Sequence, residues 1–134
     1  MSAPLLSVQS LRVTFTPAAP GQPPARVVDG VSFTLAAGGS LAVVGETGSG
    51  KTTLARALLG LVGATSGHIQ HHPGSGGDPV DIATLRGSAL RHYRTRLQMV
   101  FQDPNAALNP SMTIETAVGH PLVIHGRASG DELR

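Results

Sequence analysis

Residues 45–52 read Gly-Glu-Thr-Gly-Ser-Gly-Lys-Thr, and they constrain the fold of this chain more than any other segment. They match the pattern G-x-x-x-x-G-K-[S/T] at every fixed position. A short apolar run at residues 41–44 comes before them and is typical of a strand buried on both faces of a parallel sheet. Residues 51–62 come after them, and their spacing predicts a helix with one apolar face, made by Leu54, Leu58, Leu61 and Val62. The pattern predicts a strand, a glycine-rich loop and a helix that ends at Gly60 or Gly63.

Each residue type in this loop has a chemical reason. Glycine lets the backbone curl so that successive N–H groups converge at the start of a helix, where unpaired N–H groups favour an anion. The Lys51 ammonium supplies a full charge for the β- and γ-phosphates of a nucleotide, and the Thr52 hydroxyl suits Mg²⁺. The other positions are expected to act mainly through backbone shape and N–H groups; they are Gly45, Glu46, Thr47, Gly48, Ser49 and Gly50. The loop therefore predicts a site for nucleotide phosphates.

Composition excludes several other classes of site. Lys51 is the only lysine of the chain, and the other nine basic residues counted as Lys or Arg are arginines. The net charge is +2 and charged residues make up 13% of the chain, so we predict no basic surface for nucleic acid. The absence of cysteine excludes disulfides, thiolate metal sites and a cysteine nucleophile. His71 and His72 lack a third ligand at suitable spacing, so we predict no metal site there.

The first 40 residues are predicted to form a small antiparallel β layer. Alternating apolar residues predict an extended segment over residues 6–15, with a slip near Gln9 and Ser10. Residues 17–25 are rich in proline and predict a loop. Two further strands are expected on either side of a turn at Asp29 and Gly30.

The rest of the chain carries weaker signals. We expect short strands at residues 67–70 and 97–101, and a polar helix with solvated arginines at residues 85–96. Residues 113–124 are weakly helical and are broken by Gly119 and Pro121. No apolar run approaches 18 residues and the N-terminus lacks the pattern of a secretory signal, so a soluble intracellular protein is the expectation.

Several segments together resemble the ATP-binding subunits of ABC transporters. Residues 28–33 read VDGVSF, residues 45–53 read GETGSGKTT, and residues 58–67 hold LLGL followed by TSG. Residues 98–104 read QMVFQDP, and LNP followed by Met112 and Thr113 comes shortly after. This last stretch is similar to the oligopeptide, dipeptide and nickel importer group in particular.

The resemblance implies an α/β fold: a P-loop NTPase core of the ABC-type ATPase class with an N-terminal antiparallel β subdomain. By family pattern, residues 1–134 form an incomplete nucleotide-binding domain. Residues 1–40 would be the antiparallel β layer, residues 41–102 the P-loop core, and residues 103–134 the start of a helical subdomain. The Walker B strand with its general-base glutamate, the LSGGQ signature and the switch histidine do not occur in the sequence.

The resemblance also implies roles for single residues. Gln102 matches the family's Q-loop glutamine, whose amide reaches Mg²⁺ and the attacking water, so Lys51 and Gln102 are the expected catalytic residues and Thr52 and Gln102 the expected Mg²⁺ ligands. Thr53 matches a hydroxyl residue that faces the α-phosphate. Phe15 is similar in position to the aromatic residue that stacks on adenine; alternatively it packs in the β layer, and Arg26 approaches the nucleotide instead.

The implied activity is ATP binding and hydrolysis coupled to import of peptides or a similar solute, with ATP and Mg²⁺ as cofactors. The implied partners are transmembrane permease subunits, a second ATPase subunit (the same or a different chain) and, indirectly, an extracytoplasmic solute-binding protein. No nucleic acid is expected beyond the ATP ligand. The expected location is the cytoplasm, on the inner face of the cell membrane. The alternative is a stand-alone P-loop module that binds nucleotide without hydrolysing it.

Overall fold

The computed structural model describes residues 4–17, 21–73, 77–103 and 108–129. The chain divides into two compact units, residues 1–94 and residues 95–134. The first unit holds the β-sheet and the glycine-rich loop, and the described residues of the second include the segment around Gln102 and an α-helix. No helix in the described ranges is long and apolar enough to cross a membrane.

The first unit is built on a four-stranded antiparallel sheet with the strand order β2-β1-β3-β4. The strands are β1 (Pro4–Phe15), β2 (Ala25–Ala36), β3 (Ser66–His71) and β4 (Val80–Asp81). The sheet confirms the predicted antiparallel layer and the strand near residues 67–70. That strand joins the antiparallel layer, because β3 pairs directly with β1.

Four register shifts interrupt the β1–β2 pair, and the first lies between Pro4 and Leu6. The predicted slip near Gln9 and Ser10 is confirmed: Ser10 has a φ of +47°, and its N–H donates to Ser32 Oγ at 2.8 Å. The predicted turn at Asp29 and Gly30 is wrong, because β2 runs through both residues with a shift of register. The chain does not reverse at these residues but forms a β-bulge within the strand, where Gly30 adopts a φ of +68°.

The fourth register shift lies beside the glycine-rich loop. Val13 pairs with Val28, but Thr14, the next residue of β1, pairs with Arg26. Val27 is therefore an extra residue without a partner in the ladder, which is the pattern of a β-bulge. Such a bulge redirects the strand locally, and it is the part of β2 that faces the loop.

The core lies on one face of this sheet. Strand residues supply most of it, and the helix α1 (Lys51–Leu58) covers them with Leu54 and Ala57. The buried apolar residues of the sheet are Val8, Leu11, Val13, Val28 and Ile69, and Ile82 and Tyr93 complete the core. Burial of side chains of this size stabilises the fold by roughly 1.5–3 kcal/mol each.

The helix after the loop is shorter than its apolar pattern predicts. It ends at Leu58, and Gly60 then adopts a φ of +64° while Leu61 N–H donates to Arg56 O at 2.8 Å. The prediction that Gly60 or Gly63 ends the helix is confirmed for Gly60. Because the helix stops there, Leu61 leaves the apolar face and is 50% exposed.

Two predicted strands are wrong. Residues 41–44 and 97–101 are both irregular, and Val44 and Val100 are 88% and 94% exposed. A buried strand needs neighbours that pair with its backbone and cover its faces. In the described ranges, the sheet contains no strand that pairs with either segment. Neither segment therefore forms a strand, although its apolar pattern is typical of one.

Two further α-helices follow the sheet in the described part of the chain. Helix α2 (Gly87–Tyr93) is followed by a 3₁₀ turn (Arg94–Arg96), which confirms the predicted helix near residues 85–96. In the second unit, α3 (Ile114–Ile124) begins at Thr113, whose hydroxyl accepts from Thr116 N–H at 3.2 Å. Gly119 and Pro121 lie inside α3, so the expected break there is wrong.

Candidate nucleotide-phosphate site

The loop of residues 45–50 turns sharply before α1. Gly48 and Gly50 have φ angles of +86° and +93°, a region that residues with a side chain rarely adopt. Ser49 N–H donates to Glu46 O at 3.2 Å, which closes the loop on itself. Gly50 is the N-cap of α1, and its carbonyl accepts from Leu54 N–H at 2.8 Å. The helix therefore begins immediately after the loop, and its first N–H groups point back toward it.

Lys51 folds back over the loop that precedes it. Its Nζ donates to Gly45 O at 2.8 Å, to Glu46 O at 2.6 Å and to Ser49 Oγ at 3.3 Å. These three acceptors match the three donors of an ammonium group. No ion pair among the described residues involves Lys51. Its full positive charge is thus held at the loop, and no carboxylate of the described ranges pairs with it.

Strand β2 forms the wall against which the loop rests. A Cβ atom added at Gly50 would collide with Val27 O, the backbone carbonyl of the bulge residue. Beside this contact is a cavity of about 160 Å³, lined by Val27, Gly48, Gly50, Lys51, Thr52 and Thr53. A second cavity of about 270 Å³ lies between β2 and α1 and also includes Val27 and Lys51 in its lining. Of the predicted site residues, Gly48, Gly50, Lys51, Thr52 and Thr53 therefore line one cavity.

Phe15 ends β1 opposite Ala25 and is 44% exposed. Val13, two residues earlier, is only 1% exposed on the face that α1 covers. Alternation along the strand puts Phe15 on that same face, past the edge of the core. Its ring is therefore only partly packed in the core.

Arg26 belongs to a different surface. Its Nη1 lies 3.7 Å from Asp29 Oδ2, and Arg12 Nε lies 2.9 Å from Asp29 Oδ1. Arg12 is adjacent to the buried Val13, so its side chain is on the opposite face of β1. The geometry places Arg26 in this exposed cluster and gives no support to its approach to the loop.

Gln102 is exposed and lies in the second unit, so its predicted place beside Thr52 stays a prediction. His71 is buried, and its ring meets Tyr93 edge-on with 5.3 Å between centroids. The described ranges hold no cluster of three or more His, Asp or Glu residues that could hold a metal.

Sequence reasoning missed the part played by Val27. Its contact with Gly50 depends on a register shift between two strands, and the sequence carries no separate signal for that shift. The contact leaves no room for a side chain at position 50. In the sequence, Gly50 is recognisable only as part of the glycine-rich motif.

Comparison with known proteins identifies the family of the chain. The family model described as "ABC transporter" matches residues 28–132. The chain is 44% identical over 126 residues to a probable peptide ABC transporter ATP-binding protein, y4tS, of Sinorhizobium fredii, covering 91% of this chain and 34% of that protein. It is 42% identical over 116 residues to the oligopeptide transport ATP-binding protein OppF of Escherichia coli, covering 84% of this chain and 33% of OppF.

Among solved structures, the chain matches a dimeric post-hydrolysis state of the ATP-binding cassette MJ0796 bound to ADP and Pi. The TM-score is 0.72 at 22% identity, and the match covers 96% of this chain and 52% of the other. This likeness confirms the predicted fold class, an ABC-type P-loop core with an antiparallel β subdomain. The chain spans about a third of the length of the curated relatives it matches. On the match of residues 28–132, the chain belongs to the ABC transporter family.

Proposed function

We propose that residues 45–53 of this chain bind the phosphates of ATP. The observation that carries the proposal is the ammonium of Lys51, which Gly45 O, Glu46 O and Ser49 Oγ hold at the loop and which has no ion pair among the described residues. The start of α1 adds unpaired N–H groups beside the same cavity. A polyanion that contacts both would gain charge-assisted hydrogen bonds from each. Phe15 would supply the aromatic face for the adenine base.

Magnesium fits the same cavity. Thr52 lines it, and a threonine hydroxyl is an oxygen donor of the kind that Mg²⁺ accepts beside phosphate oxygens. When bound, Mg²⁺ would neutralise charge on the β- and γ-phosphates. We propose Thr52 as one ligand, with Gln102 as the second. Thr53, which lines the same cavity, would face the α-phosphate.

The activity of the whole protein is proposed from the family. Relatives carry names for peptide and oligopeptide transport, and they support ATP hydrolysis coupled to peptide import as the function. Permease subunits, a second ATPase subunit and, indirectly, an extracytoplasmic solute-binding protein would be the partners. The second subunit is supported by the dimeric state of the matched cassette. The protein would work on the inner face of the cell membrane.

We propose the domain organisation that the family pattern predicts, with a β layer at residues 1–40, a P-loop core at residues 41–102 and a helical subdomain from residue 103 onward. In ATP hydrolysis, Lys51 would contribute its positive charge beside the phosphates, and Gln102 would help to position Mg²⁺ and the attacking water. The 134-residue chain contains no Walker B glutamate and no signature motif. We therefore expect it to bind nucleotide weakly and to hydrolyse it at most slowly.

Titration calorimetry with MgATP tests the phosphate site. The Lys51→Ala variant should lose at least about tenfold in affinity, because Lys51 is the only positively charged side chain of the loop. Arg91→Ala is the matched control, since Arg91 is an exposed cation on α2. Equal affinities for the wild-type chain and Lys51→Ala would contradict the assignment.

A further inference from the structure

The far end of α1 is held by a charged side chain from a distant part of the chain. The last carbonyls of a helix have no partner within it and need one elsewhere. Arg94 Nε donates to Leu59 O at 3.1 Å, and Arg94 Nη2 donates to Gly60 O at 2.6 Å. One planar guanidinium thus bonds two successive carbonyls that follow α1. The sequence predicted solvated arginines at residues 85–96; Arg94 corrects this, because it is partly buried.

Helix α1 needs such an anchor. It has only eight residues, and a helix of that length is marginal without tertiary support. Leu54 and Ala57 are its buried side chains. At its start, Gly50 rests against Val27 O. A helix of this length can tilt when its far end is released, and its first N–H groups would then turn away from the loop.

We propose that Arg94 is a positioning residue for the phosphate site. It touches neither the loop nor a bound phosphate, and it acts by fixing the orientation of α1. Its planar fork suits this task, because the ammonium of a lysine is a point charge and does not reproduce the two-pronged geometry. The inference rests on the proposed function of the loop, since orientation of α1 matters to affinity only if phosphates bind there.

The test compares two ligands, MgATP and magnesium tripolyphosphate, in titrations of the full 134-residue chain. Because α1 would contact phosphates and not the base, Arg94→Ala should weaken both ligands by the same factor. We expect each affinity to fall by about five- to tenfold, because only part of the free energy of the two charge-assisted hydrogen bonds is lost from ligand binding. Arg94→Lys should lie closer to Arg94→Ala than to wild type.

Two control variants separate positioning from general loss of stability. Arg91→Ala removes an exposed arginine of α2 and should leave both affinities within twofold of wild type. Asp81→Asn weakens a hydrogen-bonded cluster at β4, so it should lower the melting temperature without changing affinity where the chain is folded. Thermal unfolding followed by circular dichroism identifies a temperature at which every variant is folded, and all titrations are made at that temperature.

The outcomes are distinct. Wild-type affinity in Arg94→Ala overturns the inference while Lys51→Ala still tests the phosphate site. Equal weakening by Asp81→Asn and Arg94→Ala also overturns it, because affinity would then follow stability alone. If Arg94→Ala does not fold, the same comparisons are made with Arg94→Lys, and its wild-type affinity overturns the inference. If the wild-type chain binds neither ligand, the proposed function fails and the inference fails with it.

Discussion

The contact between the loop and β2 makes a sharp prediction about two glycines. Gly48 and Gly50 both have positive φ angles, +86° and +93°, so alanine is strained at either position. The space around them differs. A Cβ at Gly48 meets nothing within 4 Å, whereas a Cβ at Gly50 collides with Val27 O and reaches Val27 Cγ1 at 3.3 Å. Gly48→Ala is therefore a matched control for Gly50→Ala.

The two variants should differ by the cost of that collision. The left-handed conformation alone costs an alanine roughly 1–2 kcal/mol, so Gly48→Ala should destabilise the chain by about that much. Gly50→Ala carries the same cost and must also push a backbone carbonyl aside, which adds about 1–3 kcal/mol by analogy with overpacked cores. A side chain could rotate away, but a carbonyl within a strand moves only with its strand. We expect Gly50→Ala to lose about 2–5 kcal/mol in all.

Urea unfolding measures the stability of both variants, and calorimetry measures their affinity for MgATP. Gly50→Ala should also lose affinity, because the loop can keep its shape only by moving away from Val27. Gly48→Ala should keep more of the affinity, since its Cβ projects into open space. If both variants lost the same stability, the contact with Val27 O would carry no weight and the reasoning would be refuted.

Two more predictions follow from the same unit. Phe15→Ala should weaken ATP by about 1–3 kcal/mol, the usual contribution of base stacking, and leave tripolyphosphate binding unchanged; equal loss for both ligands in parallel titrations would rule out a stacking role. Burial raises the pKa of Asp81, but hydrogen bonds from His68 and from the N–H groups of Ile69 and Ala83 outweigh it, so the pKa of Asp81 lies below its ordinary value of 3.8. A depressed carboxyl pKa stabilises the fold above pH 3.8, and that stability is lost as the pH falls through the folded pKa. Urea unfolding between pH 2 and pH 6 should therefore show a smaller loss of stability at acidic pH for Asp81→Asn than for wild type, whereas identical pH profiles would contradict this.

Local signals in the sequence predicted the parts of the fold that local chemistry determines. Glycine spacing and Lys51 predicted the loop, and the apolar face with Gly60 predicted α1 and its end. The slip at Ser10 was visible because the alternation of apolar residues changes phase there. Each of these depends on neighbours a few residues away.

The predictions that failed depend on distant partners. The apolar run at residues 41–44 predicted a buried strand, but a strand forms only where another strand pairs with it, and a pattern of side chains does not supply that partner. The contact of Val27 with Gly50 and that of Arg94 with Leu59 O join residues 23 and 35 positions apart along the chain. An arginine in a polar helix has the same local signal whether it is solvated or holds another helix. Only the packed structure distinguishes the two.

The three hydrogen bonds of Lys51 determine what phosphate binding at this loop can gain. Every donor of its ammonium has an acceptor within the chain, so a phosphate oxygen would replace a carbonyl or hydroxyl oxygen as the partner. Binding is then an exchange of hydrogen bonds at constant number, and its driving force at this residue is the difference between a charged and a neutral acceptor. Because Lys51 is the only lysine, a single ε-ammonium NMR signal would report that exchange for the whole chain.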